Sequence, residues 1–261
     1  MLEGVSLAVV VPAFNEARLI ARTLATIPRF VDRVIVVDDA STDGTSDVAR
    51  ASSLPLGPQV DVVRHPNNRG VGAAIITGYR TALEGRAEAI GVMAGDAQMH
   101  PDDLERLALP VVRGEVDYAK GDRFGHPDAR RVIPVERALA GRVLAALTRR
   151  AAGIEALSDS QCGYTVISAA AVRKIDLEAV FPRYGYPNDL LGKIALAGLR
   201  IRDVPVRPVY GDEESGIRPW HVAVILGLVT RIAWERKFPS APVRPPVPVG
   251  PILTQRERGS A

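Results

Sequence analysis

Acidic and amide side chains follow two apolar runs near the N-terminus, at the points where strands would end. The run 7–11 stops at Pro12-Ala13-Phe14-Asn15-Glu16, and the run 34–37 stops at Asp38-Asp39. In open α/β sheets, ligands bind at the carboxyl ends of the strands. Carboxylates placed there can accept hydrogen bonds from a nucleobase or a ribose, or hold a metal ion that in turn holds phosphate. The two runs therefore predict a site of one of these kinds.

A third acid-bearing loop follows the apolar residues 90–93. Asp96 and Gln98 lie two positions apart in it, so both side chains can reach one hard cation through oxygen atoms. A single Asp in a loop is more often a turn residue, but here three strand-end acids precede it along the chain. We therefore predict a divalent-cation site at Asp96 and Gln98.

A glycine-rich segment, NNRGVGAAIITG, covers residues 67–78. Its backbone amides, including that of Gly70, and the side chain of Arg69 could line an anionic ligand. A Rossmann fingerprint would need a third glycine where Ile75 stands, and the chain has no Gly-Lys-Ser/Thr phosphate loop. The segment therefore disfavours a dehydrogenase and a P-loop nucleotidase.

Alternating strand and helix patterns must position these loops. The alternation predicts βαβ units, and so an α/β fold with a mostly parallel sheet covered by helices on both faces. The predicted strands are 6–11, 33–38, 59–63, 89–93, 115–121, 163–168 and 200–206. The predicted helices are 16–27, 43–52, 70–84, 101–112, 136–152, 169–174 and 187–198.

The composition limits the classes of protein that fit. The 261 residues carry a formal net charge of +3 with acids and bases interspersed, so nothing indicates nucleic-acid binding. Cys162 is the single cysteine, which excludes an intramolecular disulfide and fits a reducing compartment. The N-terminal apolar run is too short for a signal peptide. We therefore expect a cytoplasmic protein.

The C-terminal part differs from the rest, and we divide the chain into a domain at 1–216, a helix at 217–238 and a Pro-rich extended tail at 239–261. The helix is amphipathic in our interpretation and shorter than the roughly 20 apolar residues of a membrane span. Two placements stay open for it. It is a buried core helix, or an interfacial helix that attaches the protein peripherally to the inner face of the cell membrane.

Seven motifs, in order and at consistent spacing from residue 6 to 216, resemble the family 2 glycosyltransferases of GT-A fold. The subgroup is that of dolichyl-phosphate mannose synthase and the polyprenyl-phosphate glucosyltransferases. The resemblance implies an inverting transfer of a hexose from a UDP- or GDP-sugar to a polyprenyl phosphate. The motifs are VVVPAFNE, VVDDASTDGT, NNRGVGAAIITG, GDAQMHPDDL, KGDRF, DSQCGY and VYGDEESG.

The resemblance implies that the first strand-end loop wraps the nucleotide and that the acids of the second loop bind its base and ribose. Together with the Gly-rich segment, the predicted nucleotide-binding residues are Pro12, Ala13, Asn15, Glu16, Asp38, Asp39, Arg69 and Gly70.

The resemblance also implies a Mg²⁺ or Mn²⁺ cofactor. Asp96 and Gln98 match the metal-binding motif D-x-D-x-Q, in which Ala94 replaces the first Asp. One fewer carboxylate predicts weaker or more water-rich coordination of the cation.

On the acceptor side, Arg123 in KGDRF matches a basic residue near the donor and acceptor phosphates. Arg137 matches a downstream Arg that contacts the acceptor phosphate, and Arg207 and Ser215 match a late acceptor-side loop. We expect these arginines to converge on the phosphate of a lipid acceptor, while a nucleotide sugar binds as the donor.

Asp159 and Asp189 complete the candidate catalytic set with Asp96 and Arg123, and each has two interpretations. Asp159 forms a turn before a strand, or it lies beside the anomeric carbon or the acceptor. Asp189 starts a helix, or it is the late catalytic acid.

Three other functions stay open. A family member with a soluble or glycan acceptor would use the same residues, with the C-terminal helix as core or as a dimer contact. A nucleotidyltransferase shares such a sheet and an acidic metal loop, but no Gly-rich, Lys/Arg-bearing loop follows the first strand. An inactive nucleotide-sugar binder would explain Ala94.

Overall fold

The computed structural model describes residues 1–52, 57–209 and 219–239, with the side chains of 219–221 excepted. Its strands are β1 (Leu7–Ala13), β2 (Arg33–Asp38), β3 (Gln59–Arg64), β4 (Ala89–Val92), β5 (Tyr118–Asp122), β6 (Thr165–Ser168) and β7 (Ile201–Pro205). Its α-helices are α1 (Ile20–Thr26), α2 (Thr45–Ala51), α3 (Val71–Glu84), α4 (Asp103–Val112), α5 (Ala129–Val132), α6 (Val135–Ala152), α7 (Ala169–Val172), α8 (Tyr186–Leu196) and α9 (Pro219–Lys237).

The strands form one sheet in the order β3-β2-β1-β4-β6-β5-β7. β6 runs antiparallel to its neighbours β4 and β5, and the other neighbouring pairs are parallel. The chain builds outward from β1 to β3 on one side and then crosses to β4 on the other. The strand order therefore reverses between β1 and β4, and a crevice opens at the carboxyl ends of the strands at such a point.

Helices cover both faces of the sheet, so its central strands are buried on both sides. Val9 and Val11 of β1 belong to one apolar cluster with Leu107 of α4, whereas Val10 belongs to a second cluster with Tyr79 of α3. Successive side chains of a strand point to opposite faces. A strand buried on both faces therefore needs an unbroken apolar run, which is what residues 7–11 and 34–37 supply.

The predicted α/β class with a mostly parallel sheet is confirmed. Two helices begin later than predicted, α1 at Ile20 instead of residue 16 and α2 at Thr45 instead of residue 43. The residues before them are held instead in hydrogen-bonded loops of the site described below. The reversed direction of β6 was not predicted, because an apolar pattern reads the same in either direction.

The C-terminal helix α9 packs against α6 and α8. Ile225, Val229 and Ile232 are buried in one cluster with Ala151 and Ala152 of α6, so this face of the helix is core. Its other face exposes the apolar side chains of Val222, Leu226 and Trp234 together with the basic side chains of Arg236 and Lys237. None of the helices in the described ranges combines the length and apolar character needed to cross a bilayer. The predicted tail falls outside the described residues, apart from position 239.

A close approach of α3 to β1 yields a stability prediction. An alanine Cβ at Gly78 would lie 2.2 Å from Val10 Cγ1 in the core, so Gly78→Ala should lower the free energy of unfolding by about 1–3 kcal/mol. In the matched variant Gly227→Ala on α9, the new Cβ meets nothing within 4 Å, and stability should be unchanged or rise by about 0.5–1 kcal/mol. Urea denaturation measures both, and equal effects of the two substitutions would contradict the packing.

Candidate active site

A cavity of about 630 Å³ opens at the carboxyl ends of β1, β2 and β4, where the strand order reverses. We call it the larger cavity. It contains five of the eight predicted nucleotide-binding residues and the predicted metal ligand Asp96 on its walls. The lining residues are Pro12, Ala13, Phe14, Glu16, Asp39, Asn68, Gly70, Val71, Ala74, Ala94, Gly95, Asp96, Phe181, Arg183, Tyr184 and Val224.

The loops after β1 and β2 are tied to each other by hydrogen bonds. Asn15, in the left-handed region with φ 57°, donates its backbone N–H to Ser41 Oγ over 2.9 Å. The side chain of Asn15 in turn accepts from Thr42 N over 2.9 Å, and Glu16 N donates to Thr45 Oγ1 over 2.9 Å. The Asn15 side chain therefore shapes the loop, while Glu16 reaches the cavity wall.

Asp39 lies on the cavity wall and holds the Gly-rich segment in place. Its Oδ1 accepts hydrogen bonds from Arg69 N over 2.9 Å and from His65 Nδ1 over 2.7 Å. Its Oδ2 accepts from Gly70 N over 2.7 Å, and His65 Nε2 lies 2.9 Å from Thr77 Oγ1. One carboxylate thus fixes the loop before α3 against the end of β2.

Asp38 points away from the cavity and is fully buried. Its carboxylate accepts hydrogen bonds from Ser41 N over 2.8 Å and from Ser46 Oγ, and Arg64 lies 3.7 Å away. Burial would raise the pKa of Asp38, but the hydrogen bonds from Ser41 and Ser46 and the charge of Arg64 outweigh it and leave the pKa below its usual value. Of the two neighbouring acids, only Asp39 therefore reaches the ligand side.

Two glycines allow the Gly-rich segment to approach the segment 181–184 closely. At Gly70, with φ 97°, a Cβ would lie 2.6 Å from Pro182 O, and at Gly72 it would lie 2.5 Å from Phe181 O. Neither position can hold a side chain without a shift of the backbone opposite it. Glycine here sets the width of the larger cavity.

The segment 181–184 was not predicted as part of the site, yet Arg183 and Tyr184 line the larger cavity. Asp189, fully buried at the start of α8, holds this segment: its Oδ2 accepts from Phe181 N over 2.7 Å and its Oδ1 binds Arg231 of α9. This placement favours the helix-start interpretation of Asp189 over the catalytic one. The available sequence signal was an arginine between aromatic residues in a loop, FPRYGY.

A smaller cavity of about 230 Å³ adjoins the larger one and shares Pro12, Val71, Ala94 and Tyr184 with it. The other side of this smaller cavity is formed by the segments that follow β5 and precede β6 and α8. Its remaining lining residues are Val92, Met99, Arg123, Gln161, Gly163, Gly185, Tyr186 and Pro187.

Arg123 is held at the smaller cavity by Asp159. Its Nε and Nη2 donate to the two carboxylate oxygens over 2.7 and 3.1 Å. Asp159 is 1% exposed and also accepts from the backbone N–H groups of Gln161 and Cys162. The pair is therefore a bidentate, largely buried ion pair, which fixes the guanidinium plane.

The same contacts determine the protonation of Asp159. Burial would raise its pKa, but the charge and hydrogen bonds of Arg123, the charge of Lys120 and the backbone hydrogen bond from Gln161 outweigh it, so the pKa lies below its usual value. A carboxylate with a low pKa and occupied oxygens is a weak general base. The structure thus places Asp159 as the anchor of Arg123.

Asp96 and Gln98 curl into a tight loop at the wall of the larger cavity. Asp96 Oδ1 accepts from Gln98 N over 3.0 Å, and Ala97 between them has φ 57°. Ala94 adds no carboxylate, and the described ranges hold no cluster of three or more His, Cys, Asp or Glu suited to a metal ion. One wall carboxylate still fits Mg²⁺, which proteins commonly hold through one or two carboxylates together with substrate phosphates.

Of the three arginines predicted to meet the acceptor phosphate, Arg123 lines a cavity and the other two do not. Arg137 in the first turn of α6 and Arg207 after β7 have exposed side chains outside the walls of both cavities. The backbone N–H of Arg207 donates to Asp103 Oδ2 over 2.7 Å, which turns this segment toward α4. The Arg69 side chain is exposed as well. Ser215 lies outside the described residues.

Residues 8–175 match the sequence profile described as glycosyl transferase family 2. The chain belongs to this family. The glycosyltransferase is 32% identical over 231 residues to an uncharacterised protein of Methanocaldococcus jannaschii. The aligned region covers 88% of this chain and 92% of that protein. It is 31% identical over 215 residues to the undecaprenyl-phosphate mannosyltransferase of Micrococcus luteus, covering 79% and 84% of the two chains.

Among solved structures, the glycosyltransferase is similar to glucosyl-3-phosphoglycerate synthase from Mycobacterium tuberculosis in complex with UDP. The TM-score is 0.64 at 23% identity, over 89% of this chain and 81% of that one. A second structure of that enzyme, with Mg²⁺ and UDP, gives a TM-score of 0.64 at 22% identity over 89% and 80%. The predicted GT-A fold and the predicted family are confirmed, and the nucleotidyltransferase and inactive-binder alternatives are set aside.

The opposite orientations of Asp38 and Asp39 predict different outcomes for two isosteric substitutions. Asp39→Asn should weaken nucleotide-sugar binding about tenfold or more, because an amide cannot accept all three hydrogen bonds that Asp39 accepts from His65 and from the two backbone amides of the Gly-rich segment. Asp38→Asn should lower stability instead and leave the affinity of the folded protein near the wild-type value. Isothermal titration calorimetry with UDP- and GDP-sugars measures the affinities, and equal losses in both variants would contradict the orientations.

Asp203 on β7 predicts a pH dependence of stability. Its Oδ2 accepts from Ser158 N over 2.5 Å, Oδ1 is buried without a partner among the described residues, and burial raises its pKa to about 6. A raised carboxyl pKa means that the folded state disfavours the ionised form, so stability falls as the pH rises through about 6.

The variant Asp203→Asn should therefore be more stable than the wild type by about 1–3 kcal/mol at pH 8, with the difference disappearing near pH 4. Urea denaturation as a function of pH measures it. The control Asp102→Asn changes a carboxylate that is 78% exposed and should show no such trend. If Asp203→Asn raised the free energy of unfolding equally at pH 4 and pH 8, the titration of Asp203 would not be the cause.

Proposed function

We propose that this glycosyltransferase moves a hexose from a nucleotide diphosphate sugar, UDP- or GDP-linked, to a polyprenyl phosphate with inversion at the anomeric carbon. The nucleotide part of the donor occupies the larger cavity, against Asp39 and the Gly-rich segment. Its sugar lies toward the smaller cavity, and the acceptor phosphate enters beside Arg123.

The composition of the smaller cavity carries this proposal. Its wall holds the guanidinium of Arg123 and, within the described ranges, no carboxylate. An acceptor hydroxyl would need a general base to take its proton, whereas a phosphate is already anionic at neutral pH. Of the acids that flank this wall in sequence, Asp122 accepts from Phe124 N, Asp159 and Asp189 have their oxygens engaged in fixed contacts, and Asp96 lies on the wall of the larger cavity. A cationic site without a base fits a phosphate nucleophile.

In this mechanism the acceptor phosphate attacks C1 of the sugar on the face opposite the leaving nucleotide diphosphate, so the configuration inverts. Arg123 supplies positive charge that is already oriented before the reaction, because Asp159 holds two of its nitrogens. Preorganised charge stabilises a transition state without the cost of reorienting solvent.

A divalent cation at Asp96 and Gln98 supplies Lewis-acid stabilisation of the departing diphosphate when it is bound. Asp96 faces the larger cavity and contributes the carboxylate of this site. The Mn²⁺, Mg²⁺ and UDP named for glucosyl-3-phosphoglycerate synthase support such a cation for this fold. With Ala94 in the motif, Asp96 would be the carboxylate that this loop offers to the cation.

The acceptor class rests on the relatives. Besides the mannosyltransferase of Micrococcus luteus, the UDP-N-acetylglucosamine–dolichyl-phosphate N-acetylglucosaminyltransferase of Methanococcus voltae is 25% identical over 215 residues, 78% of this chain and 85% of that one. A second candidate is a small phosphorylated acceptor in solution. Glucosyl-3-phosphoglycerate synthase, solved with phosphoglyceric acid, favours it through a shared fold. Both acceptors carry a phosphate for Arg123.

Acceptor competition tests the proposed function. With a UDP- or GDP-sugar that binds, the enzyme should glycosylate a polyprenyl phosphate in detergent, and neither the dephosphorylated polyprenol nor 3-phosphoglycerate should serve. Thin-layer chromatography of labelled product measures the transfer. Equal use of polyprenol would reject the phosphate nucleophile, and efficient use of 3-phosphoglycerate alone would establish the second candidate.

Arg123→Lys should lower kcat/KM for the polyprenyl phosphate about tenfold to a hundredfold, because the ammonium cannot bind Asp159 and phosphate in the planar geometry of arginine. Donor affinity should change little. The matched control is Arg200→Lys, which alters a bidentate pair with Asp117 on the far end of β5. If both variants lose activity equally, Arg123 has no special role at the acceptor.

Asp96→Asn should abolish the Mn²⁺-dependent part of donor binding and nearly all turnover. The amide oxygen can still accept from Gln98 N and keep the loop folded, while the charge that holds the cation is lost. Calorimetry of UDP- or GDP-sugar with Mn²⁺ and with chelator measures this, with Asp102→Asn in the same loop as the control. A variant Asp96→Asn that keeps its Mn²⁺ response would place the cation elsewhere.

A further inference from the structure

One face of α6 exposes a continuous apolar stripe. Four side chains at intervals of four residues lie along it, and the opposite side of the helix is buried through Ala145 and Thr148. A helix with apolar side chains on both sides needs a second partner to cover the outer one. The exposed fractions are 80% for Val135, 65% for Leu139, 53% for Val143 and 41% for Leu147.

The neighbouring helix α9 repeats this arrangement. Its inner side packs into the core through Ile225, Val229 and Ile232. Its outer side carries large apolar residues from one end to the other: Val222 is 48% exposed, Leu226 42% and Trp234 65%, followed by Phe238 at 49%.

The two outer sides join into one surface. A groove of about 540 Å³ runs between the helices, with Leu147 and Arg150 of α6 and Ala233 and Lys237 of α9 among its lining. A second groove of about 620 Å³ on α6 shares Leu147 and Arg150 with it. We call the joined outer sides the α6–α9 face. Contiguous exposed apolar area of this kind marks interaction sites on soluble proteins.

The charges on this face select an anionic partner. Basic residues outnumber acidic ones on the two helices, and the acid Glu235 lies 3.5 Å from Arg231 on its own helix. Besides Arg231, which binds the buried Asp189, the basic residues are Arg137, Arg142, Arg149, Arg150, Arg236 and Lys237, and the acids are Glu136 and Glu235. A second copy of the chain would place arginines against arginines. The residues from 240 to 261 hold Arg244, Arg256 and Arg258 but only Glu257, so that segment is also like-charged.

The α6–α9 face begins beside the acceptor side of the site. Arg142 of α6 stacks over the Phe124 ring at 5.8 Å, and Phe124 follows Arg123 in the chain. Gly141 approaches the same ring so closely that a Cβ would lie 2.5 Å from it. At α9, Val224 lines the larger cavity. A partner seated on this face would border the smaller cavity.

We propose that the α6–α9 face docks on an anionic lipid bilayer. The apolar stripes enter the boundary between headgroups and acyl chains, and the flanking arginines and lysine bind lipid phosphates. This inference deepens the proposed function, because a polyprenyl phosphate lies in a bilayer and would meet Arg123 at its surface. It assigns membrane contact to α6 together with α9, whereas the sequence indicated only the C-terminal helix.

Vesicle sedimentation of the full chain tests this without any acceptor present. The vesicles are phosphatidylcholine with and without phosphatidylglycerol, and they contain no polyprenyl phosphate. The wild type should bind the anionic vesicles, and its binding should weaken as salt is added. Leu139→Ser with Val143→Ser should weaken the partition about tenfold or more through lost apolar contact. Arg149→Glu with Arg150→Glu should weaken it about tenfold or more at low salt.

Two matched controls change other exposed surfaces. Leu196→Ser alters a side chain at the end of α8 that is 40% exposed, and Arg173→Glu with Lys174→Glu makes the same charge change at the exposed end of α7. Both controls should bind vesicles as the wild type does. All variants should keep wild-type melting temperatures and donor affinity, because none of the changed side chains lines either cavity.

The docking surface would be rejected if the wild type did not bind anionic vesicles, or if the control variants weakened binding as much as the α6 variants do. Binding that appeared only after truncation of the chain at residue 239 would reject it as well. A dimer in sedimentation velocity that the α6 variants dissociate, without vesicle binding, would assign the face to a second copy. Vesicle binding without transfer to polyprenyl phosphate would keep the surface and reject the proposed acceptor. Transfer to polyprenyl phosphate in detergent without vesicle binding would support the proposed acceptor and reject the docking surface.

Discussion

The carboxylate of Asp39 holds the site of this glycosyltransferase together. It accepts hydrogen bonds from two successive backbone amides of the Gly-rich segment and from His65, which in turn contacts Thr77 of α3. The end of β2, the end of β3 and the start of α3 are therefore fixed relative to one another through one side chain. A buried carboxylate is stable only with such partners, since an unpaired one would cost several kcal/mol. The hydrogen bonds that stabilise this buried carboxylate thus also shape the wall that the Gly-rich segment forms in the larger cavity.

A second buried charge organises the smaller cavity in the same way. Arg123 and Asp159 pair at the wall, with Lys120 buried below them and donating to Cys162 O over 2.8 Å. Desolvation makes such pairs weak contributors to the stability of the fold. The effect of this pair is instead to fix the orientation of the Arg123 guanidinium. An arginine with two nitrogens fixed cannot swing away when the ligand leaves. The cavity keeps a positive wall in a defined place, which a flexible surface lysine would not provide.

The helices α6 and α9 carry apolar side chains both on the side that packs against the domain and on the side that faces solvent. The inner sides of α6 and α9 form a small cluster that attaches α9 to the domain, and Arg231 of α9 reaches Asp189, which holds the cavity wall at Phe181. Movement of α9 would therefore be felt at the larger cavity. The outer sides leave apolar and basic residues in solvent, and α6 contacts Phe124 beside Arg123 through Arg142. Substrate cavity and outer surface are coupled through a few side chains of the same two helices.

Local pattern was enough to predict most of the framework. Unbroken apolar runs identified the central strands, because a strand buried on both faces admits no alternation. The polar loops that follow those runs identified the edge of the sheet at which the cavities open, and the ordered motifs identified the family. These features depend on residues close together in the chain, so the sequence contains them directly.

Only the tertiary structure decided the direction of individual side chains and the partners they meet. Asp38 and Asp39 are neighbours, and successive residues of an extended chain point opposite ways. The pattern therefore predicts that one of them faces the cavity, but it does not show which one. Asp159 and Asp189 act as anchors because the fold pairs them with Arg123 and Arg231. These arginines lie 36 and 42 positions away along the chain, too far for a local pattern to connect them. Arg137 and Arg207 stayed outside the cavities because their elements direct them to solvent. A carboxylate's role is set by the donors that folding brings to it, and those donors come from distant parts of the chain that no local pattern connects.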